Sequence, residues 1–361
     1  MKSIVRLGLV VMAGFGLFLS LSPMSAGAAP GGTSGGGAPA GAVVASGPRS
    51  LAPVATAWSV NPATGPAWTH RGGQPGCGAA VVAVPNHSPA YYAAHPDEFL
   101  DDPGMPSGMR AELAEIAKAQ PTVVTSISCA PGLVRKAAEQ SAIANATATN
   151  WSGYQTSSAS TTDVFVSMEW TVPTVTAVSS NSSVSIWAGL GSGNSASDEL
   201  VQAGTAQALK PSVSAPYFWY EMYPQENEIK ISMSVAAGDD VTILIGFNTS
   251  YGTANYCFYN HTKNTYTSVQ ETLRSGQRFS GKQAEWIVER PSVASPQPLL
   301  AKFSTVSATG CAYQYAGQNT TSLASSSNTF PWTMINGSNQ TLASPGSQTS
   351  GNFKVTWLKG S

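Results

Sequence analysis

Ile229-Lys230-Ile231-Ser232-Met233-Ser234-Val235-Ala236-Ala237-Gly238-Asp239-Asp240-Val241-Thr242-Ile243-Leu244-Ile245 is the stretch that decides the fold class. Its first seven residues alternate strictly between apolar and polar, the period of a strand with one buried face. Ala-Ala-Gly-Asp-Asp then supplies turn chemistry, and a second β-rich run follows, so the segment reads as a hairpin. Working outward, similar short runs occur at Val164–Trp170, Val184–Leu190, Tyr217–Tyr223, Ala254–Tyr259, Glu285–Glu289, Leu299–Val306 and Phe353–Leu358. Gly, Asn and Ser separate them, and no helical periodicity follows Asn150. Many short strands at this spacing predict an all-β domain, an antiparallel sandwich or barrel, over residues 146–361. About 215 residues suit one such domain.

Upstream the character differs. Met109, Leu113, Ile116 and Ala117 fall on one helical face, and Pro121 stops the run, so a helix is expected from Pro106 to Lys118. A second, Ala-rich helical stretch is expected over Val134–Ala144. The small residues Ala144-Asn145-Ala146-Thr147-Ala148-Thr149 read as extended, accessible and easily cut. Residues 29–48 are Gly, Ala, Ser and Pro with little to bury, a flexible leader. At the start, Lys2 and Arg6 precede an apolar run from Leu7 to Leu21 and the small residues Ser25-Ala26-Gly27-Ala28. That order is a secretory signal peptide over 1–28. A secreted, extracellular product is expected, free of the membrane once the signal is removed.

Charged residues make up 10% of the chain and the net charge is −1, against a usual quarter charged. No basic footprint for nucleic acid exists. A surface solvated by neutral polar groups has few carboxylate ion pairs to lose on acidification. The four cysteines, Cys77, Cys129, Cys257 and Cys311, allow three disulfide connectivities in an exported chain. Cys77–Cys129 with Cys257–Cys311 is the expected pairing, because other features also divide the chain near residue 145.

The chemistry narrows by elimination. After residue 145 the only histidine is His261, in the turn-like Tyr259-Asn260-His261-Thr262-Lys263-Asn264. A Ser-His-Asp or Cys-His machine needs an imidazole beside its nucleophile. Neither H-E-x-x-H nor C-x-x-C occurs, so no metal or other cofactor is expected. Carboxylates remain. In Gln283-Ala284-Glu285-Trp286-Ile287-Val288-Glu289-Arg290-Pro291, strand alternation puts Glu285, Ile287 and Glu289 on one face and Ala284, Trp286 and Val288 on the other. The apolar set is expected to pack between sheets. Gln202 lies in Leu200-Val201-Gln202-Ala203-Gly204, whose glycine admits close approach of a ligand. Tyr217-Phe218-Trp219-Tyr220-Glu221-Met222-Tyr223-Pro224 sets a carboxylate among aromatic rings, as a ligand groove does. On residues alone, a peptidase and a glycoside hydrolase or lectin on such a sandwich both remain open. Glu285 and Glu289 are spaced as in laminarinase-type glycosidases, although the same-face residue between them is Ile287 rather than an aspartate.

These stretches, with Asn150-Trp151-Ser152-Gly153, Ile186-Trp187-Ala188-Gly189-Leu190 and the tail Phe353-Lys354-Val355-Thr356-Trp357, resemble in order the glutamic endopeptidase family, the eqolisins. The resemblance spans nearly all of 150–361. It implies a concanavalin-like sandwich and an acid-acting endopeptidase, acting on protein or peptide substrates without a cofactor. It further implies Gln202 and Glu289, rather than Glu285, as the catalytic pair, with Trp151, Trp187, Trp219, Glu221 and Tyr223 in the substrate groove. Two departures stand out: Gly191 replaces an aspartate and Met222 a tryptophan. The lost acid bears on local hydrogen bonding and subsite preference, not on the catalytic pair. Residues 29–145 fit a removable propeptide, and a monomer is the default.

Overall fold

The computed structural model describes residues 68–71, 82–85, 88–95, 105–124, 146–156, 161–195, 198–209, 214–225, 227–291, 297–323 and 328–361. Upstream elements are β1 (Trp68–Arg71), β2 (Val82–Pro85), α1 (Pro89–Ala94), α2 (Ser107–Lys118), β3 (Thr122–Val123) and β4 (Ala146–Ala148). There follow β5 (Trp151–Thr156), β6 (Asp163–Thr171), β7 (Val175–Thr176), β8 (Ser182–Ser195), β9 (Asp198–Leu209), β10 (Tyr217–Tyr223), β11 (Ile229–Ile231) and β12 (Asp240–Asn248). The chain continues through β13 (Thr253–Asn260), β14 (Thr265–Thr272), β15 (Ala284–Glu289), β16 (Leu299–Leu300), β17 (Lys302–Phe303) and β18 (Val306–Tyr315). It closes with β19 (Thr321–Ser322), β20 (Thr329–Ile335), β21 (Thr341–Pro345) and β22 (Phe353–Trp357).

Pairing resolves these strands into two layers. The front layer runs β11-β10-β9-β8-β15-β5-β20, with β4 parallel to β20. The back layer runs β14-β13-β12-β6-β18-β22, and β21 joins it to β20. The fold is the expected β-sandwich, antiparallel in its main ladders.

Period-two alternation explains how the layers meet. Ile186, Ala188, Val201, Ala203, Phe218, Tyr220, Ala284, Trp286 and Val288 of the front layer pack against Val166, Met168, Ile243, Ile245, Tyr256 and Phe258 of the back one. Burying such side chains contributes about 1.5–3 kcal/mol each. Every alternate residue of the front strands is thereby turned to the outer face, and those residues form the site.

Four expectations change. The segment 229–245 is not a hairpin: β11 pairs with β10 in the front layer, whereas β12 pairs with β13 and β6 in the back. Its alternation arises because Ile229, Ile231, Met233 and Val235 all enter the inter-layer core as the chain crosses between layers. Cys257 and Cys311 are both free and buried. Cys257 aligns with Leu244, Leu244 with Ser167, and Ser167 with Ala312, so three strand spacings, about 14 Å, separate the two regions. A disulfide needs Cα atoms within about 7 Å. The thiols also lie on opposite faces, Cys257 in the outer cluster of the back layer and Cys311 in the inter-layer core. Ala146–Ala148 is extended as expected but neither accessible nor loose, since it pairs with Trp332–Met334, and Ala146 and Ala148 are buried. Finally, Gly204 admits a neighbouring strand rather than a ligand, because a Cβ there would overlap the Ile186 carbonyl oxygen and sit 2.7 Å from the Trp187 Cβ.

The helix expected near 106–118 is α2, and Met109, Leu113 and Ile116 are its buried face. The stretch Val134–Ala144, the signal peptide and the pair Cys77 and Cys129 lie outside the described residues. Among the described residues no helix is long and apolar enough to cross a membrane.

Candidate active site

The outer face of the front layer is a grid whose rows are fixed by register. One row runs Glu221, Gln202, Gly189, Glu285, Gln155 across β10, β9, β8, β15 and β5. The next runs Trp219, Gly204, Trp187, Ile287, Gly153 and on to Trp332 of β20. A third runs Tyr217, Ala206, Ser185, Glu289, Trp151. Trp151, Trp187, Trp219, Glu221, Gln202, Glu285 and Glu289 therefore share one face, and Tyr223 lies on it one row beyond Glu221, opposite Leu200.

The polar contacts are specific. Gln202 Nε2 donates to Glu221 Oε2 at 2.8 Å, so the amide is held by its neighbour on β10. Trp187 Nε1 donates to Glu289 Oε2 at 3.0 Å. Trp332 Nε1 donates to Gln155 Oε1 at 2.8 Å. The Trp151 ring meets Trp187 edge-on with centroids 5.1 Å apart and Trp332 at 6.4 Å. Trp151 Nε1 has no hydrogen-bond partner among the described residues.

Gln202 and Glu289 are not immediate neighbours. They lie two strands and two rows apart, which is four residues along a strand and about 16 Å between Cα atoms. Gln202 shares its row instead with Glu285, about 10 Å away, across the side-chain-free Gly189. Trp187 stands between the two arrangements. Its benzo edge would lie 2.9 Å from a Cβ at Gly189, while its Nε1 points to Glu289.

The environments of the two glutamates differ. Burial and, secondarily, the charge of Glu289 raise the Glu285 carboxyl well above its usual range. Glu289 accepts a hydrogen bond from the Trp187 indole N–H.

With this geometry in view, relatives are informative. The peptidase A4 family profile matches residues 149–357. The chain belongs to that family, and it is a peptide hydrolase. Among solved structures, it is similar to scytalido-glutamic peptidase in complex with a transition-state analogue inhibitor. The TM-score is 0.50 and the identity 20%, covering 58% of this chain and 98% of that one. The aspergilloglutamic peptidase of Aspergillus niger gives a TM-score of 0.42 at 19% identity, covering 49% and 99%. No curated protein matches the chain. At these identities the structural likeness concerns the fold.

The two departures from the family pattern have different consequences in this peptidase A4 chain. Met222 is buried in the inter-layer core, so its substitution does not alter the outer face. Gly191 takes φ +116°, and a Cβ there would overlap the Glu199 carbonyl oxygen, so an aspartate would not fit this backbone. Trp332 and Gln155 are site residues that sequence reasoning missed. Trp332 lies in Thr329-Phe330-Pro331-Trp332, where the proline masks the strand pattern. Among the described residues, no group of three or more His, Cys, Asp or Glu could hold a metal ion.

Proposed function

We propose that the chain is the precursor of a secreted, acid-acting endopeptidase in which Glu289 is the general base and Gln202 the oxyanion donor. The observation that carries this is the shared outer face of the front layer, where the Gln202 amide and the Glu289 carboxyl, oriented by the Trp187 N–H, both stand. Glu289 takes a proton from a water, and that water attacks the scissile carbonyl. The Gln202 N–H donates to the oxygen as negative charge develops on it, and a neutral amide suits this because a carboxylate there would repel the oxyanion. The protonated Glu289 then passes its proton to the departing amine. Glu285, neutral through burial, adds no charge beside the oxyanion. Trp151, with its Nε1 directed at no described partner, suits a substrate backbone carbonyl.

The precursor reading has its own support. In the full chain Gln202 is 3% and Glu289 1% exposed, which leaves neither open to a polypeptide substrate. Processing would have to open that face. Because Ala146–Ala148 is paired and buried, we place the cut before Ala146, within the upstream segment.

A second reading follows from the register, which makes Glu285 rather than Glu289 the row partner of Gln202. Hydrolysis of denatured casein across pH 2–8 by the processed protein, with a β-glucan control, tests the class. Acid-limited casein cleavage without glucan cleavage is expected. Activity confined to neutral or alkaline pH would contradict Glu289 acting as an ordinary carboxylate base.

A further inference from the structure

We infer that residues 88–95 and 105–124 are not shed with the leader but stay bound as a brace on the back of the sandwich, so that processing yields a two-chain peptidase. This rests on the precursor reading above, but the contacts behind it are independent of the active site.

The outer face of the back layer carries Phe165, Leu244, Cys257, Tyr259 and Tyr266, an apolar patch of the kind monomeric proteins rarely leave open to water. Tyr92 of α1 and Met109, Leu113 and Ile116 of α2 cover it, and all of these residues are buried. The fit is made at two glycines, one on each side. Gly246 of β12 has no side chain where the Met109 sulfur sits, and a Cβ there would overlap it. Gly108 of α2 lies flat on Phe165, with a Cβ 2.6 Å from the ring.

Hydrogen bonds tie both ends of the helix to the sandwich. α2 has no side-chain cap of its own. The Gly108 N–H of its first turn donates instead to Gln314 Oε1 on β18 at 2.8 Å, and Gln314 Nε2 donates to Ser107 Oγ at 3.1 Å. At the other end, Asn264 Nδ2 donates to the Ala119 carbonyl at 3.0 Å. β3 then pairs in parallel with β14 through Thr122 N to Asn264 O, 3.0 Å, and Val124 N to Tyr266 O, 2.8 Å. Thr267 Oγ1 donates to the Val124 carbonyl at 2.6 Å. Arg110 Nε joins α1 to α2 by donating to the Ala93 carbonyl at 2.9 Å. A propeptide that merely passed over this surface would need neither the cap supplied by Gln314 nor the added strand. Removing it would bare a largely aromatic sheet face, and the brace has no competing role in the catalytic grid on the opposite layer.

The test uses the full chain with a site-specific protease sequence, flanked by glycine–serine repeats, inserted between residues 134 and 135. After cleavage, the N-terminal fragment is expected to co-elute with the C-terminal one at the size of the uncut chain. Cys257 should alkylate at least about tenfold more slowly than in the urea-unfolded chain, read by peptide mass mapping. Separate elution of the two fragments overturns the inference. Gly246→Leu, which displaces Met109, is expected to speed Cys257 alkylation and release the fragment; unchanged protection in a folded variant also overturns it. If that variant fails to fold, the cleavage experiment on the otherwise native chain still decides. N-terminal sequencing of the natural product separates this inference from the precursor reading. A chain never cut sinks the precursor, whereas a cut chain that has lost 88–95 and 105–124 sinks the brace.

Discussion

Asp163 should make the fold more stable in acid than at neutral pH. It opens β6, fully buried, with its backbone N–H donating to the Gly281 carbonyl at 2.6 Å. Its Oδ2 accepts from the Thr156 hydroxyl at 3.3 Å, a weak partner for a full charge. Burial pushes the carboxyl up to about 8, against 3.8 for an ordinary aspartate. The folded state therefore holds a proton through a pH range in which the unfolded chain has lost it. Stability from this group is fully present below the unfolded value and falls as pH rises toward about 8. At about 1.4 kcal/mol per pH unit, the loss between pH 4 and 7 is about 4 kcal/mol. That is a large share of the roughly 5–15 kcal/mol typical of a domain. It corresponds to a fall in Tm of roughly 8–16 °C for a domain of this size. Asp163→Asn keeps the shape and removes the titration. Thermal unfolding at pH 4, 5, 6 and 7, in a Glu289→Gln background to prevent self-digestion, should show the Tm falling with Asp163 in place and falling less steeply in the Asn variant, which keeps only the slope from other raised groups such as Glu285. Parallel curves for the two proteins would refute the assignment of this slope to Asp163.

The site makes its own predictions. Gln202→Ala should lose roughly 10²–10³ in kcat with an unchanged Tm, the cost of one oxyanion donor; a loss seen only in KM would show the amide binding substrate without serving the transition state. Trp187→Phe deletes the N–H directed at Glu289, so the acid limb of the pH–rate profile should move to higher pH. An unmoved limb would detach the indole from the base. For the cysteines, denaturing alkylation without reductant should label both Cys257 and Cys311. Protection of both together would restore the Cys257–Cys311 disulfide that the register excludes, and protection of one alone would contradict its being a free thiol.

The sandwich was legible because apolar and polar residues alternate, and alternation survives whatever the strands pair with. Ala284, Trp286 and Val288 were expected between the sheets and are found there, leaving both glutamates on the outer face. Pairing was not legible. Residues 229–245 alternate as a hairpin would, because a chain crossing through the core buries every second residue just as a paired strand does. The same limit hid the site's geometry. Periodicity put Glu285 and Glu289 on one face and the family resemblance paired Glu289 with Gln202, but only the β8–β9 and β8–β15 registers show that Gly189 and Trp187 intervene. The helix at 107–118 was readable from its apolar stripe, whereas the partner of that stripe, a back-layer face including Cys257 and Tyr266, comes from strands far along the chain.

The central claim is that Glu289 is the carboxylate that activates water. Single-turnover cleavage of a peptide substrate at the acid optimum, by Glu289→Gln and Glu285→Gln side by side, tests it most directly. The account predicts that Glu289→Gln is essentially inactive, while Glu285→Gln, an amide in place of an already neutral acid, retains most of the rate. The reverse outcome would contradict it and make the row partner of Gln202 the base.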